Sequence, residues 1–187
     1  MQIDSDGCVI PTGFPAALLP GLGYVAIQHA QLDHAINETI WFLAGVDANA
    51  GTAITSPVFN IGTRMEMLRR LATVTIPEGA DQEKVHAIID RASELTILRN
   101  RVTHNRPYWT DPVSQEAGFF RAENLTRPQI KIQPPVKISA QSLDELGTEL
   151  MMLTIWLGMY RAKHPDWSDD SRFPWRTKLP QRTPANP

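Results

Sequence analysis

Four stretches of this chain repeat apolar residues at the three-and-four spacing of an α-helix, a pattern that points to a helical bundle and away from sheet-based folds. The first runs from Leu22 to Leu43, with Val25, Leu32, Ile36, Ile40 and Leu43 in step, until "GVDANAG" breaks it. A second helix is expected over 57–74, with Ser56 as N-cap, Pro57 at the first helical position, and Ile61, Met65, Leu68 and Leu71 turned one way. The third follows the turn cluster "IPEGADQ", carries Val85, Ile88, Ile89, Ala92, Leu95 and Val102, and is stopped by Pro107. The fourth is expected over about 141–163, opened by Ser139 or by a Ser142/Glu145 capping box, and it ends before Pro165.

Between 109 and 138 the pattern changes. "GFFRAEN", "RPQIKIQ" and "PVKISA" are short alternating segments divided by proline and polar turns, as in a small hairpin or extended excursion. The expected fold is therefore all-α: an up-and-down four-helix bundle with a short extended or hairpin excursion between helices 3 and 4. Residues 1–17 read as an irregular lead-in, 18–164 as the helical domain, and 165–187 as a proline-rich tail carrying Trp167, Phe173 and Trp175. Bundle packing accounts for Met65, Met67, Met151, Met152, Met159 and Trp156 without a ligand box.

With 187 residues there is enough apolar content for a core without metal or disulfide support. Cys8 is the single cysteine, and the N-terminus lacks a basic segment followed by an apolar one, so a reducing, cytoplasmic setting is expected. The most apolar run, "LMMLTIWLGMY" at 150–160, is too short to cross a bilayer, and no membrane association is expected. A net charge of -2 with a pI near 6.2 argues against coating nucleic acid by bulk electrostatics; any polyanion must be held by a local cluster.

Such a cluster stands in "ILRNRVTHNRPYW", residues 97–109. Asn100 and His104 are four apart and share a helix face, and the long Arg99 side chain reaches towards it, so three polar heads converge. A histidine titrating near neutrality moves protons, a guanidinium grips phosphate oxygens, and an amide orients a neighbour. RNA would supply its own nucleophile, the ribose 2′-hydroxyl. The ordinary alternative is that Arg99, Arg101 and Arg106 offset the negative helix C-terminus and that His104 is a cap or surface residue.

The stretch "RNRVTH" resembles the R-(N/D/H)-x3-H signature of HEPN domains, which are all-helical and recur in prokaryotic toxin, abortive-infection and RNA-processing systems. "AQLDHAINETIWFL", "FNIGTRMEMLRRLA" and "ASELTILRNRVTHNRPYW" fall where that family carries its first three helices. The resemblance implies a HEPN-like bundle over residues 22–163 and a metal-independent endoribonuclease. In it Arg99 and His104 are the catalytic pair and Asn100 positions them, with Arg101 and Arg106 as secondary candidates. It also implies an RNA substrate, a homodimer with two motifs across a cleft, no cofactor, and, by analogy with toxin-antitoxin and antiviral defence systems, a neutralising partner protein. The excursion at 109–138 and the tail depart from the minimal bundle of that family.

On the first helix Asp33, Asn37 and Trp41 recur at every fourth position, and the resemblance makes Asp33 and Asn37 secondary candidates, Asp33 to orient His104 or pair with Arg99. Their ordinary reading, with His34 and Glu38, is as solvent-facing pairs. His29 and His34 stand five apart with no H-E-x-x-H, cysteine pair or Glu-x-x-His repeat, so no metal site is expected. Gly21 and Gly23 in "PGLGYVA" lack the strand and third glycine of a dinucleotide fingerprint, and no P-loop lysine follows a glycine-rich turn. The rival reading on the same residues is a non-catalytic HEPN-like binding or assembly module, or an immunity or antitoxin-like partner protein.

Overall fold

Helix boundaries follow the capping side chains. A computed structural model describes residues 2–3, 9–10, 15–104, 107–111, 113, 116–119 and 136–164. These contain five helices, α1 (Leu19–Ala44), α2 (Ala48–Thr55), α3 (Ile61–Thr75), α4 (Ala80–His104) and α5 (Ala140–Lys163). The short strands are β1 (Gln2–Ile3), β2 (Val9–Ile10), β3 (Pro107–Asp111), β4 (Glu116–Phe119) and β5 (Val136–Ile138). The chain is mostly helical, as expected. It divides into two compact units, residues 1–33 with 90–154 and residues 34–89 with 155–187.

In the first unit β1 pairs antiparallel with β2, and a 3-10 turn at Ala16–Leu18 leads into α1, so the lead-in is more regular than its composition indicated. Val25 and Leu32 of α1, Ala92, Leu95 and Val102 of α4, and Leu143, Leu146 and Leu150 of α5 are buried. Gly21 and Gly147 lie where helices approach closely: a Cβ on Gly147 would stand 2.3 Å from the Tyr24 ring, and one on Gly21 2.8 Å from Leu143. Gly21 thus serves helix packing. The excursion between α4 and α5 is a three-stranded antiparallel sheet in the order β3-β4-β5, with Ala117 opposite Ile138 and both buried. Its first strand starts at Pro107, the residue expected only to stop a helix, and "RPQIKIQ" lies outside the described residues.

Ser139 opens α5: its hydroxyl accepts from the Ser142 N–H at 3.1 Å, while the Ser142 hydroxyl accepts from the Ser139 N–H at 2.8 Å. Glu145 is not part of this box; it accepts from Gln141 at 2.8 Å.

In the second unit the chain departs from expectation after α1. Gly45, at φ 65°, ends that helix in the left-handed conformation that favours glycine. The Asp47 carboxylate then accepts from the N–H groups of Asn49 and Ala50, both at 2.9 Å, and nucleates α2 inside the stretch read as a break. Ser56 consequently closes α2 instead of capping the next helix, and α3 begins at Ile61 behind Asn60, whose side chain accepts from the Gly62 N–H at 2.7 Å. Gly51 and Thr55 of α2 seat the Trp41 indole, whose Nε1–H donates to Thr55 Oγ1 at 3.1 Å. A Cβ on Gly51 would stand 2.3 Å from that ring.

Arg161 ties α5 to α1 in this unit, donating to Ala35 O at 3.1 Å, Thr39 Oγ1 at 2.8 Å and Glu38 Oε2 at 2.7 Å. Burial first, and the Asp81 charge second, push the Tyr160 hydroxyl's pKa upward, so it stays protonated. No helix among the described residues is long and apolar enough to cross a membrane.

Candidate functional site

The last two turns of α4 carry Arg99, Asn100, Thr103 and His104, and helical geometry sets them on adjoining faces. The Thr103 hydroxyl donates back to the Arg99 carbonyl at 2.9 Å, leaving the polar heads of the other three for one another. Arg99 Nη1 donates to Asn100 Oδ1 at 2.9 Å and lies 3.1 Å from His104 Nε2. Arginine has no acceptor atom, so the second contact assigns the roles: Nε2 of His104 presents its lone pair, and the ring proton sits on Nδ1. Asn100 and His104 are exposed, while Arg99 is half-buried.

The three side chains expected to gather do so. Among the described residues no carboxylate neutralises Arg99, whose partners are an amide oxygen and an imidazole nitrogen, and its Nε is buried without a hydrogen-bond partner. A guanidinium with only neutral acceptors retains its attraction for an anion, and the neighbouring imidazole offers a basic nitrogen within hydrogen-bond reach of whatever that anion carries.

A fourth residue enters from α1. His29 is buried, with Nε2 3.4 Å from the Thr96 hydroxyl one turn before Arg99. Burial first, and the positive charge of Arg99 second, lower its pKa to about 4, so it is neutral at pH 7 and adds no competing cation beside Arg99. In the sequence His29 stands out only as a candidate metal ligand. The signal that places it here is its position four residues before Asp33 and eight before Asn37, on the stripe already singled out.

The other candidates fall differently. Asp33 is half-buried in the first unit, but the side-chain hydrogen bonds of Arg99 and His104 among the described residues go to each other and to Asn100. Asn37 belongs to the second unit, where its side-chain oxygen accepts from Arg64 at 3.4 Å. Arg101 is half-buried on the last turn of α4, and Arg106 lies outside the described residues, as do Cys8 and the tail from 165. His34 pairs with Glu38 at 3.4 Å on its own helix, and among the described residues no three His, Cys, Asp or Glu side chains are grouped to hold a metal.

Compared with known proteins, the chain matches no family model, no curated protein and no solved structure.

Proposed function

We propose that the protein is a metal-independent endoribonuclease of HEPN type, with His104 as the proton-transfer group, Arg99 as the phosphate clamp and Asn100 as the residue that positions Arg99. The observation carrying this reading is the Arg99 side chain, free of any carboxylate among the described residues and donating to the basic nitrogen of an exposed histidine.

In the proposed reaction a phosphodiester draws Arg99 Nη1 onto its non-bridging oxygens, which releases the lone pair of His104 Nε2. That nitrogen takes the proton of the ribose 2′-hydroxyl as its oxygen bonds to phosphorus. The P–O5′ bond breaks with its electron pair on O5′, which takes a proton from water, and the hydroxide so formed removes the proton from His104 Nε2, restoring the free base. The products are a 2′,3′-cyclic phosphate and a 5′-hydroxyl. Arg99 stabilises the charge that grows on the phosphoryl oxygens, an electrostatic contribution larger in the transition state than in the bound substrate. By the same resemblance the protein works as a homodimer, within a defence or toxin-antitoxin setting and under a neutralising partner, and its single cysteine suits the cytoplasm.

The test is incubation of purified protein with total RNA, with and without chelator, beside His104→Ala. The reading expects cleavage that resists chelation, yields cyclic phosphate termini, and falls by about a hundred- to ten-thousandfold in the variant. Equal activity in the two proteins, or a chemical step that needs a divalent ion, would overturn it.

One observation favours a second reading, a non-catalytic binding module. Arg99, Asn100 and His104 also satisfy one another, as a purely structural network would. RNA that binds without being cut, with equal affinity for the wild type and His104→Ala, would select that reading.

A further inference from the structure

Large apolar residues exposed among the described residues are mostly scattered, which is ordinary for a protein surface. One of them stands beside the candidate site. Ile97 is 47% exposed and is the only large apolar residue of α4 that faces solvent. At 100° and 1.5 Å per residue it lies about 20° around the helix from His104 and about 10 Å before it along the axis, with Asn100 between them. The face changes character on either side of Ile97. Towards the end of the helix stand the Arg99 guanidinium, held only by neutral acceptors, and the exposed His104 imidazole. Towards its start stand the exposed carboxylates of Asp90 and Glu94, with Glu149 of α5 beside them. Arg91 donates to Glu94 at 2.7 Å and to Glu149 at 2.8 Å, so one cation is set against two of these three anions.

We propose that Ile97 is a specificity-determining residue of the site, the floor on which the unpaired base of the nucleotide held at Arg99 and His104 lies. The proposal rests on the reading of that site as one for RNA. A nucleotide has one part that gains from apolar contact, the face of its base, and Ile97 offers it such a contact within about two turns of helix from His104. The sugar-phosphate chain does not take that place, because it gains nothing from an isoleucine and is repelled by Asp90, Glu94 and Glu149 just beyond. The strand therefore leaves the site away from the start of α4, and only the base is turned towards it.

A base already paired and stacked in a duplex keeps its faces covered, so the same contact selects unpaired RNA. It lies apart from the reacting atoms and is as strong in the substrate as in the transition state, so it acts on KM and leaves kcat alone.

The test is binding of the full chain to two strands of equal length and charge: a single-stranded 2′-fluoro RNA, which lacks the nucleophile, and its counterpart without bases. Ile97→Ser, a neutral change at an exposed position, should leave circular dichroism unchanged. It should weaken binding of the first strand by about five- to tenfold and of the second by less than about twofold, while Ile97→Leu binds as the wild type does. On natural RNA, KM should rise by the same factor at constant kcat. An equal loss on both strands, no loss on either, or a wild type that does not bind the base-bearing strand would overturn the proposal. Cleavage indifferent to Ile97→Ser would overturn it and leave the nuclease reading standing, whereas binding that depends on Ile97 without any cleavage would support it and remove the nuclease reading alone.

Discussion

Arg99 holds two neutral acceptors with one nitrogen, and gripping a phosphate beside them calls on the rest of the forked guanidinium. Arg99→Lys keeps the charge but loses the fork, because one ammonium cannot align with Asn100, His104 and a phosphate as a planar group does. Under the proposed function we expect this variant to lose about a hundredfold or more in single-turnover rate, with Asn100→Ala milder. His29 makes a prediction that needs no substrate. Unfolded, it binds a proton near pH 6.5; folded, only near pH 4, since burial and then Arg99 oppose its charge. The unfolded chain therefore takes up the proton first as pH falls. The stability this residue contributes is complete above about pH 6.5 and declines towards pH 4, below which its slope vanishes. Thermal midpoints from pH 7 to pH 4 should fall more steeply for wild type than for His29→Leu.

Among the elements, α2 is held to Trp41 by the absence of a side chain at Gly51. Gly51→Ala should raise local helix propensity by about 1 kcal/mol yet cost about 1–3 kcal/mol net, because its Cβ meets the indole. Urea denaturation measures the balance, and a stabilised variant would mean the ring is not seated on α2. Asp47→Ala should cost about 1 kcal/mol through the two N–H groups it leaves uncapped. These two residues also explain what the sequence concealed. The long helices were legible because each buries a stripe: Val25 and Leu32 in α1, Val85, Ile89, Ala92 and Leu95 in α4. α2 was not, since "ANAGTAIT" has too few large apolar residues to form a stripe, and its packing depends on small ones. The small hairpin was legible in the alternating segments, but its third strand was hidden, because pairings such as Ala117 with Ile138 join segments far apart in the chain. The Arg99, Asn100 and His104 cluster was legible because it lies on one helix, where spacing determines proximity. His29 was not, because its place beside Thr96 is decided by how α1 packs on α4.

For the whole molecule the net charge of -2 sets the terms of any encounter with RNA. Under the proposed function, binding has to come from a few local cations, so affinity should depend only shallowly on salt, and Arg99→Gln should reduce the slope of log K against log salt by about 0.7, one single-strand phosphate contact. A steep slope unaffected by this variant would place the RNA elsewhere on the surface. Arg99 and His104 belong to a single helix and meet at its terminus, with no tertiary gap between them. Fraying of one terminal turn is enough to part Arg99 from His104 while the interior stays intact. Under the proposed function, catalytic competence would then follow how tightly that last coil is wound, and amide exchange at Val102 to His104 would register its loss well before the fold gives way.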